Sequence, residues 1–337
     1  MTDHADEPLL LTPGPIAVSR STKEVMLRDC GSRDGPFIAM TERVQSRPVE
    51  LVGGATSHVA VLLQGSGTYA EETSEDTPPD AHAVASRLAS DEAITHVAMV
   101  YCETTSGMLN PLSEVAGVVA AAGRLLLVDA MSAFGALPCD VRAIPFDGLA
   151  ASFNKCLEGV PGAAFVICRR SALENAAGNA HSLALDLHDQ WTFMERTGQW
   201  RFTPPTHVIA ACDRALTEHA AEGGVEGRGA RYRRNCAVLI EGMRAMGFTT
   251  LLPDALQAPI IVTFHMPADP RFEFQEFYEN LRRRGYIIYP GKLTTVDSFR
   301  IGCIGHLDET DIRQALTAIR QTLEEMGVRI PVPAASR

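Results

Sequence analysis

Lys155 is the residue of this 337-residue chain whose setting most directly suggests covalent chemistry. The apolar run from Gly148 to Phe153 predicts a buried strand that ends just before it, and a turn rich in glycine and proline, 159–162, follows. Apolar surroundings disfavour the ammonium form, so a lysine at such a strand end loses its proton more readily than a solvated lysine. The resulting amine is suited to forming a Schiff base with an aldehyde.

A carboxylate closes the preceding predicted strand. Residues Leu125 to Val128 are a continuous apolar run, and Asp129 follows directly. Pyridoxal phosphate (PLP) chemistry needs both groups, because a lysine holds the cofactor aldehyde while an aspartate beside the pyridine nitrogen keeps the ring protonated as an electron sink. The alternative interpretations are a solvated lysine at a strand end and an aspartate that only caps the next helix.

Two other predicted strands also end in polar residues. The strand at 58–64 leads into Gly65-Ser66-Gly67-Thr68, and the strand at 96–102 is followed by Thr104-Thr105. Backbone amides of glycines and a hydroxyl after a strand are suited to binding a phosphate, although the same residues fit an ordinary turn. They lack the G-x-G-x-x-G spacing of nicotinamide dehydrogenases. Alternating strands and helices predict a parallel sheet, whose carboxyl ends would gather these residues into one pocket.

Composition excludes several other classes of protein. The net charge of −11 argues against nucleic acid as a partner, and the arginines at 231, 233 and 234 are predicted to lie on a solvated helix face. No apolar run approaches membrane-spanning length, and the acidic start has no apolar core of a signal peptide. The eight scattered cysteines predict a reduced, cytoplasmic protein, and no His or Cys spacing indicates a metal site.

Further motifs extend the pattern along nearly the whole chain. They are Leu11-Thr12-Pro13-Gly14-Pro15, Leu62 to Thr68, Cys102 to Gly107, Val128 to Gly135, Asn154-Lys155-Cys156, Gly159 to Gly162, Trp200 to His207, Tyr289 to Lys292 and Phe299 to Gly302. In these motifs and their order the chain resembles the class V, fold-type I PLP-dependent aminotransferases, most closely those that act on 2-aminoethylphosphonate and pyruvate.

The resemblance implies an α/β fold with two domains. A large PLP-binding domain at 21–224 would hold a mostly parallel sheet flanked by helices. A small C-terminal αβ domain would occupy 225–337, and an N-terminal arm at 1–20 would pack with it. The apolar pattern of the sequence itself predicts a strand from Phe248 in this part. The family also implies a homodimer.

The resemblance further implies how the cofactor is held. Lys155 would hold the aldehyde and later move the proton between the substrate carbon and the cofactor, while Asp129 would pair with the pyridine nitrogen. The remaining cofactor-binding residues would be Ser66, Gly67 and Thr68 at the phosphate, Thr105 at the phenolic oxygen or the ring, Thr203 and Thr206 of the neighbouring subunit at the phosphate, and also Met131 and Asn154. Thr203 and Thr206 also fit simple turn residues.

In the implied reaction, the amino group of 2-aminoethylphosphonate is transferred to pyruvate, giving phosphonoacetaldehyde and L-alanine. Arg300 would bind the substrate carboxylate through two parallel hydrogen bonds, a geometry that lysine cannot offer; the alternative is an arginine in a surface ion pair. Within the class, alanine:glyoxylate or serine:pyruvate aminotransferase is the competing activity. Outside it, the alternative is a truncated, non-catalytic homologue with impaired PLP binding.

The chain departs from the family after Glu71. Relatives continue the helix, add a strand and carry an Asn-Gly-aromatic-Gly segment whose ring stacks on the cofactor. Here a polar linker at 71–80 follows almost at once, and no such segment appears anywhere. We therefore expect that a βαβ-sized unit of roughly 30 or more residues is absent.

Overall fold

The computed structural model describes residues 7–64, 76–291, 293 and 296–333. Its strands are β1 (Leu9–Leu10), β2 (His58–Gln64), β3 (His96–Val100), β4 (Cys102–Glu103), β5 (Met108–Leu109), β6 (Leu125–Asp129), β7 (Gly148–Ser152), β8 (Ala163–Arg169), β9 (Ile261–His265), β10 (Tyr286–Ile287), β11 (Tyr289–Pro290) and β12 (Ser298–Gly302). Its α-helices are α1 (Arg20–Glu24), α2 (Gly35–Leu51), α3 (Ala81–Ser90), α4 (Leu112–Ala121), α5 (Arg170–Glu174), α6 (Leu187–Thr197), α7 (Thr206–Ala221), α8 (Gly224–Ala245), α9 (Phe274–Arg283) and α10 (Glu309–Glu325).

The main sheet has the strand order β2-β8-β7-β6-β3. Strands β3, β6 and β7 pair in parallel, whereas β8 lies antiparallel between β7 and β2. Four strands therefore run in one direction and β8 runs against them, which gives the mostly parallel sheet that the sequence predicts. The carboxyl ends of β6 and β7 lie side by side, because Asp129 is in register with Ala150.

Helices cover this sheet and close its core. Helix α4 packs on β6 and against α3, while α2 packs on β2 and α7. Helix α2 had no counterpart among the sequence predictions, yet its buried residues follow helical spacing: Phe37, Thr41, Val44 and Pro48. Pro48 lacks the backbone N–H that would donate to the Val44 oxygen, so the last turn of the helix has one bond fewer.

The C-terminal part builds a second apolar core. Its sheet has the order β11-β12-β9 and is antiparallel throughout. Helices α8, α9 and α10 contribute buried residues to the same core, which also receives Leu9 and Leu11 from the N-terminal arm. The arm joins this part as an added strand, because β1 pairs in parallel with β10.

One predicted element of this part is wrong. The sequence predicts a strand from Phe248, but the structure has only an isolated bridge between Thr250 and Phe264 there. Phe248 is instead a core residue whose ring contacts Phe264 and Phe299 edge to face. Short apolar runs after a helix occur both in strands and in loops that contribute to a core, so the sequence pattern alone does not distinguish them.

Strand β3 lies at the edge of the main sheet, and one face of the sheet is uncovered next to it. Leu127 is 43% exposed, whereas its neighbour Leu126 is 1% exposed. His96 and Ala98, the register partners of Leu125 and Leu127, are exposed as well. Sheets of this class are normally covered on both faces, so the bare face agrees with the expected loss of a unit after Glu71.

In the part of the chain that the structure describes, every helix is too short or too polar to span a lipid bilayer.

Candidate active site

Lys155 lies in the turn that joins β7 to β8 and is half-buried. Its Nζ donates a hydrogen bond to the backbone oxygen of Pro13 at 2.5 Å. Burial lowers the pKa of this amine below its ordinary value of 10.5, and the charge of Arg300 acts in the same direction. Nearby Cys156, Asp129 and Cys102 oppose that change in the pKa. The amine therefore has the character that Schiff-base chemistry requires.

Asp129 is the last residue of β6 and lies close enough to Lys155 for their charges to interact. Burial raises the pKa of its carboxyl, and so does the charge of Glu103. The Met131 amide, which donates to Oδ1 at 2.9 Å, and the Lys155 charge lower that pKa. Met131 thus acts through its backbone on the orientation of Asp129.

The loop after β4 is held by a residue that the sequence analysis did not single out. Glu103 accepts hydrogen bonds from both the backbone amide and the hydroxyl of Thr105, each at 2.8 Å. The Thr105 backbone oxygen accepts from the Thr263 hydroxyl at 3.4 Å. Glu103 therefore fixes the rotamer of Thr105, and its place in an E-T-T run was the signal available in the sequence.

Arg300 lies on β12, the central strand of the small sheet, and is 2% exposed. Its guanidinium donates to the backbone oxygens of Pro290 at 3.2 Å and Thr104 at 2.9 Å. Burial lowers the pKa of Arg300. Within the described ranges no carboxylate forms an ion pair with it. The alternative interpretation of a surface ion pair is therefore wrong.

A strap formed by residues 11–15 passes over the lysine. The Gly302 amide donates to the Leu11 oxygen at 2.9 Å, so the strap adjoins the end of the Arg300 strand. Gly14 has φ +139°, and a Cβ there would come within 2.5 Å of Lys155 Nζ. Only glycine allows both that backbone and that approach. The motif was visible in the sequence, but its contact with the lysine was not.

The other predicted cofactor-binding residues divide into two groups. Asn154 immediately precedes the lysine and is partly buried, Thr203 is exposed before α7, and Thr206 is the first residue of α7. Their roles stay predictions. Ser66, Gly67 and Thr68 lie outside the described residues.

The site groups fit the cofactor and a substrate of PLP chemistry: Lys155 and Asp129 suit the cofactor, and Arg300 suits a substrate carboxylate. An amine with a lowered pKa and an interacting carboxylate lie at the carboxyl ends of adjacent parallel strands, as an aldehyde carbon and a pyridine nitrogen of one ring require. The third group is a cation that reaches the site from the other half of the chain. The arrangement is suited to moving a proton at a carbon that carries a carboxylate.

One side-chain group departs from the expectation about metal ligands. Asp186, His188 and Asp189 bring their ligand atoms within 4.8 Å of one another. However, Asp186 caps α6 by accepting from the Asp189 amide at 2.9 Å, and Asp189 pairs with Arg201 at 3.1 Å. These carboxylates therefore serve the start of the helix.

Comparison with known proteins gives a consistent result. Residues 72–296 match the family described as Aminotransferase class-V. The chain is 50% identical to 2-aminoethylphosphonate–pyruvate transaminase 2 of Burkholderia lata, covering 96% of this chain and 97% of that protein. It is 48% identical to 2-aminoethylphosphonate–pyruvate transaminase of Pseudomonas fluorescens, with 96% and 98% covered.

The first of these alignments runs over 365 residues, more than the 337 of this chain, so part of the relative has no counterpart here. Among solved structures, pyridoxamine–pyruvate aminotransferase from Mesorhizobium loti matches with a TM-score of 0.86 at 22% identity, covering 98% of this chain and 95% of its own. Alanine–glyoxylate aminotransferase from Nostoc sp. matches with a TM-score of 0.82 at 19% identity, covering 95% and 96%. At such identities the likeness concerns the fold alone.

Proposed function

Because the chain belongs to the class-V aminotransferase family, we propose that it transfers the amino group of 2-aminoethylphosphonate to pyruvate, giving phosphonoacetaldehyde and L-alanine. The names of relatives at 47–50% identity over nearly the whole chain support this donor and acceptor. The fold-type I expectation is confirmed by the structural neighbours, and the dependence on PLP by the family to which the chain belongs.

The chain's own groups have separate tasks in this proposal. When bound, PLP supplies an aldehyde that takes the amino group and a protonated ring that accepts electrons. Lys155 holds that aldehyde and carries the proton at the reacting carbon, since its half-buried amine exchanges protons near neutral pH more easily than an ordinary lysine. Asp129 keeps the ring nitrogen protonated, and the Met131 amide holds the carboxylate in place.

Arg300 carries the acceptor side of the proposal. Two backbone oxygens orient its buried guanidinium, and no described carboxylate lies within ion-pair distance of it, although the charge of Glu103 raises its pKa. A buried cation without an anionic partner is costly unless a ligand supplies the charge. The carboxylate of pyruvate, and then of the departing alanine, fits that need through two parallel hydrogen bonds. This buried, unpaired Arg300 is the observation that carries the proposal.

The experiment is the visible spectrum of the protein with PLP, before and after addition of 2-aminoethylphosphonate. We expect the band of lysine-bound cofactor to form and then to convert to that of the aminated cofactor. Lys155→Ala should abolish the first band, and an unchanged band would sink the assignment of this lysine. A band that responds to alanine or serine but not to this donor would favour alanine:glyoxylate or serine:pyruvate aminotransferase. Absence of any band would favour the non-catalytic homologue.

The assembly and location belong to the same proposal. A homodimer would let Thr203 and Thr206 of the neighbouring subunit reach the phosphate, as the family resemblance implies. A cytoplasmic location is supported by the cysteines, which are all free thiols and mostly buried.

A further inference from the structure

Glu158 stands three residues after Lys155 in an unusual backbone conformation. Its φ is +58°, and among the described residues it is the one non-glycine residue with positive φ. Such a conformation costs free energy for any residue with a Cβ, whereas glycine would adopt it freely. The side chain is therefore expected to contribute something that offsets this cost.

The side chain is 2% exposed and is surrounded by hydrogen-bond donors of α8. Its Oε1 accepts from Tyr232 Oη at 2.6 Å and from Arg231 at 2.7 Å, with Arg228 at 3.4 Å. Its Oε2 faces His306 Nδ1 at 3.7 Å. Burial by itself raises the pKa of Glu158, but the nearby His306 side chain and the charges of the two arginines outweigh it and lower the pKa to about 2. The prediction that Arg231 lies on a solvated face is wrong.

The same residue closes the turn that carries the lysine. The Glu158 amide donates to the Lys155 oxygen at 2.8 Å, and the Gly159 amide donates to the Phe153 oxygen at 2.8 Å. Arg228 donates to the Cys156 oxygen at 2.5 Å. The turn is thus tied to α8 through a side chain at Glu158 and a backbone oxygen one residue after the lysine.

The partners of Glu158 also hold the loop that follows β12, the strand of Arg300. Arg231 donates to the backbone oxygens of Gly305 at 2.6 Å and Leu307 at 2.8 Å. Tyr232 Oη accepts from the Gly305 amide at 3.2 Å. One buried carboxylate therefore connects the lysine turn of the main sheet with the end of the strand that supplies the substrate-binding arginine.

We propose that Glu158 is a positioning residue for Lys155. Glu158 holds the lysine turn against α8 and at a fixed position relative to the Arg300 strand. The proposal rests on amino transfer through Lys155, but not on the identity of the donor or acceptor. Without the anchor, the turn would move away from α8 and expose the lysine amine to water.

Glu222 provides a matched control. It binds the same two arginines, with Arg228 Nε at 2.6 Å and Arg231 Nε at 2.7 Å. It lies at the end of α7, and none of its described contacts reaches the 153–159 turn. Glu158→Gln and Glu222→Gln therefore remove one charge each from the same arginines, and only the first changes a side chain that belongs to the lysine turn.

The test labels the cofactor-free full chain with PLP and sodium cyanoborohydride over a pH series, with Lys155 labelling quantified by peptide mass spectrometry. No amino donor or acceptor is present, so a wrong substrate assignment would not affect the result. The groups facing Lys155 are Asp129, Cys102, Cys156 and Arg300, and all of them remain in both variants. For Glu158→Gln we expect the pH midpoint of labelling to rise toward that of a solvated lysine. Glu222→Gln should leave the midpoint unchanged.

The direction of the shift separates positioning from simple electrostatics. Removing a negative charge without moving the turn would lower the midpoint, since it destabilises the ammonium. A lowered or unchanged midpoint in Glu158→Gln, or equal shifts in both variants, would overturn the proposal. If Glu158→Gln does not fold by circular dichroism, Tyr232→Phe takes its place. That variant removes one hydrogen bond to Glu158 while keeping the buried ring, and it should raise the midpoint less, but in the same direction; no rise would also overturn the proposal.

Discussion

At the scale of single residues, burial decides the chemistry of the site. Lys155 and Arg300 are both cations whose pKa burial lowers, but the consequences differ. A lysine with a lowered pKa becomes an available amine, whereas an arginine keeps its charge under all ordinary conditions. The first residue is therefore suited to covalent chemistry and the second to holding an anion.

The role of Arg300 predicts a selective effect of Arg300→Lys. Lysine retains the charge but cannot make two parallel bonds to a carboxylate while also donating to Pro290 and Thr104. We expect KM for pyruvate to rise about 10- to 100-fold, the equivalent of losing one charge-assisted hydrogen bond, with little change in the Kd for PLP. Steady-state kinetics and a PLP titration measure the two quantities.

The control is Arg313→Lys, on the exposed side of α10, where the side chain is 64% exposed and faces Glu309 at 3.8 Å. It should change neither quantity. An equal loss of PLP binding and pyruvate use in Arg300→Lys would mean that Arg300 serves only the packing of the two sheets.

At the scale of elements, β6 shows what the shortened chain has lost. Alternate residues of a strand face opposite sides of the sheet, and Leu127 shares its face with Asp129. Leu126 faces α4 and is buried, whereas Leu127 faces solvent. The uncovered face therefore leads directly to the site carboxylate.

This difference in burial predicts that substitutions at two neighbouring residues change the free energy of unfolding by very different amounts. Leu126→Ala should lower the free energy of unfolding by about 2–5 kcal/mol, because it removes packed side-chain atoms and leaves a cavity. Leu127→Gln should change it by less than about 0.5 kcal/mol, as expected at an exposed site. Urea denaturation followed by circular dichroism measures both. A large loss in Leu127→Gln would show that another segment covers this face in solution.

At the scale of the whole molecule, the site depends on segments far apart in the chain. Lys155 contacts Pro13 at a separation of 142 residues, and Arg300 contacts Thr104 at a separation of 196. Both halves of the fold must close on each other before either contact exists. The resemblance adds a second chain, because Thr203 and Thr206 are expected to serve the neighbouring subunit's phosphate site.

A mixing experiment tests this arrangement. Lys155→Ala lacks the reacting amine, and a Thr203→Val/Thr206→Val variant lacks the hydroxyls that we propose reach across the interface. In a mixed dimer, one of the two sites is intact, because it combines the unsubstituted Lys155 of one subunit with the unsubstituted threonines of the other. We expect co-refolded variants to recover up to about one quarter of the wild-type activity, the share of intact sites when subunits mix at random. Activity no greater than the average of the separate variants would place both threonines within their own subunit's site or outside any site.

Local patterns in the sequence were enough to predict several parts of this protein. Apolar runs ending at Asp129 and Lys155 predicted two strands, and the structure places them side by side in parallel. Motif order predicted the family and the missing unit, with which the 365-residue alignment and the bare face of β6 agree. These inferences succeeded because period, spacing and residue type are properties of short segments.

Which helix and strand faces pack together depends on contacts that form only in the folded chain. Arg231 lies in a run that suits a solvated helix, yet its partners Glu158 and Gly305 come from loops about 70 residues away on either side. Phe248, where a strand was predicted, is a core residue outside any strand, and the backbone oxygen of Pro13 in the strap accepts a hydrogen bond from Lys155. In each case the deciding contacts are non-local, and the free energy of burying one side chain depends on the segment that covers it.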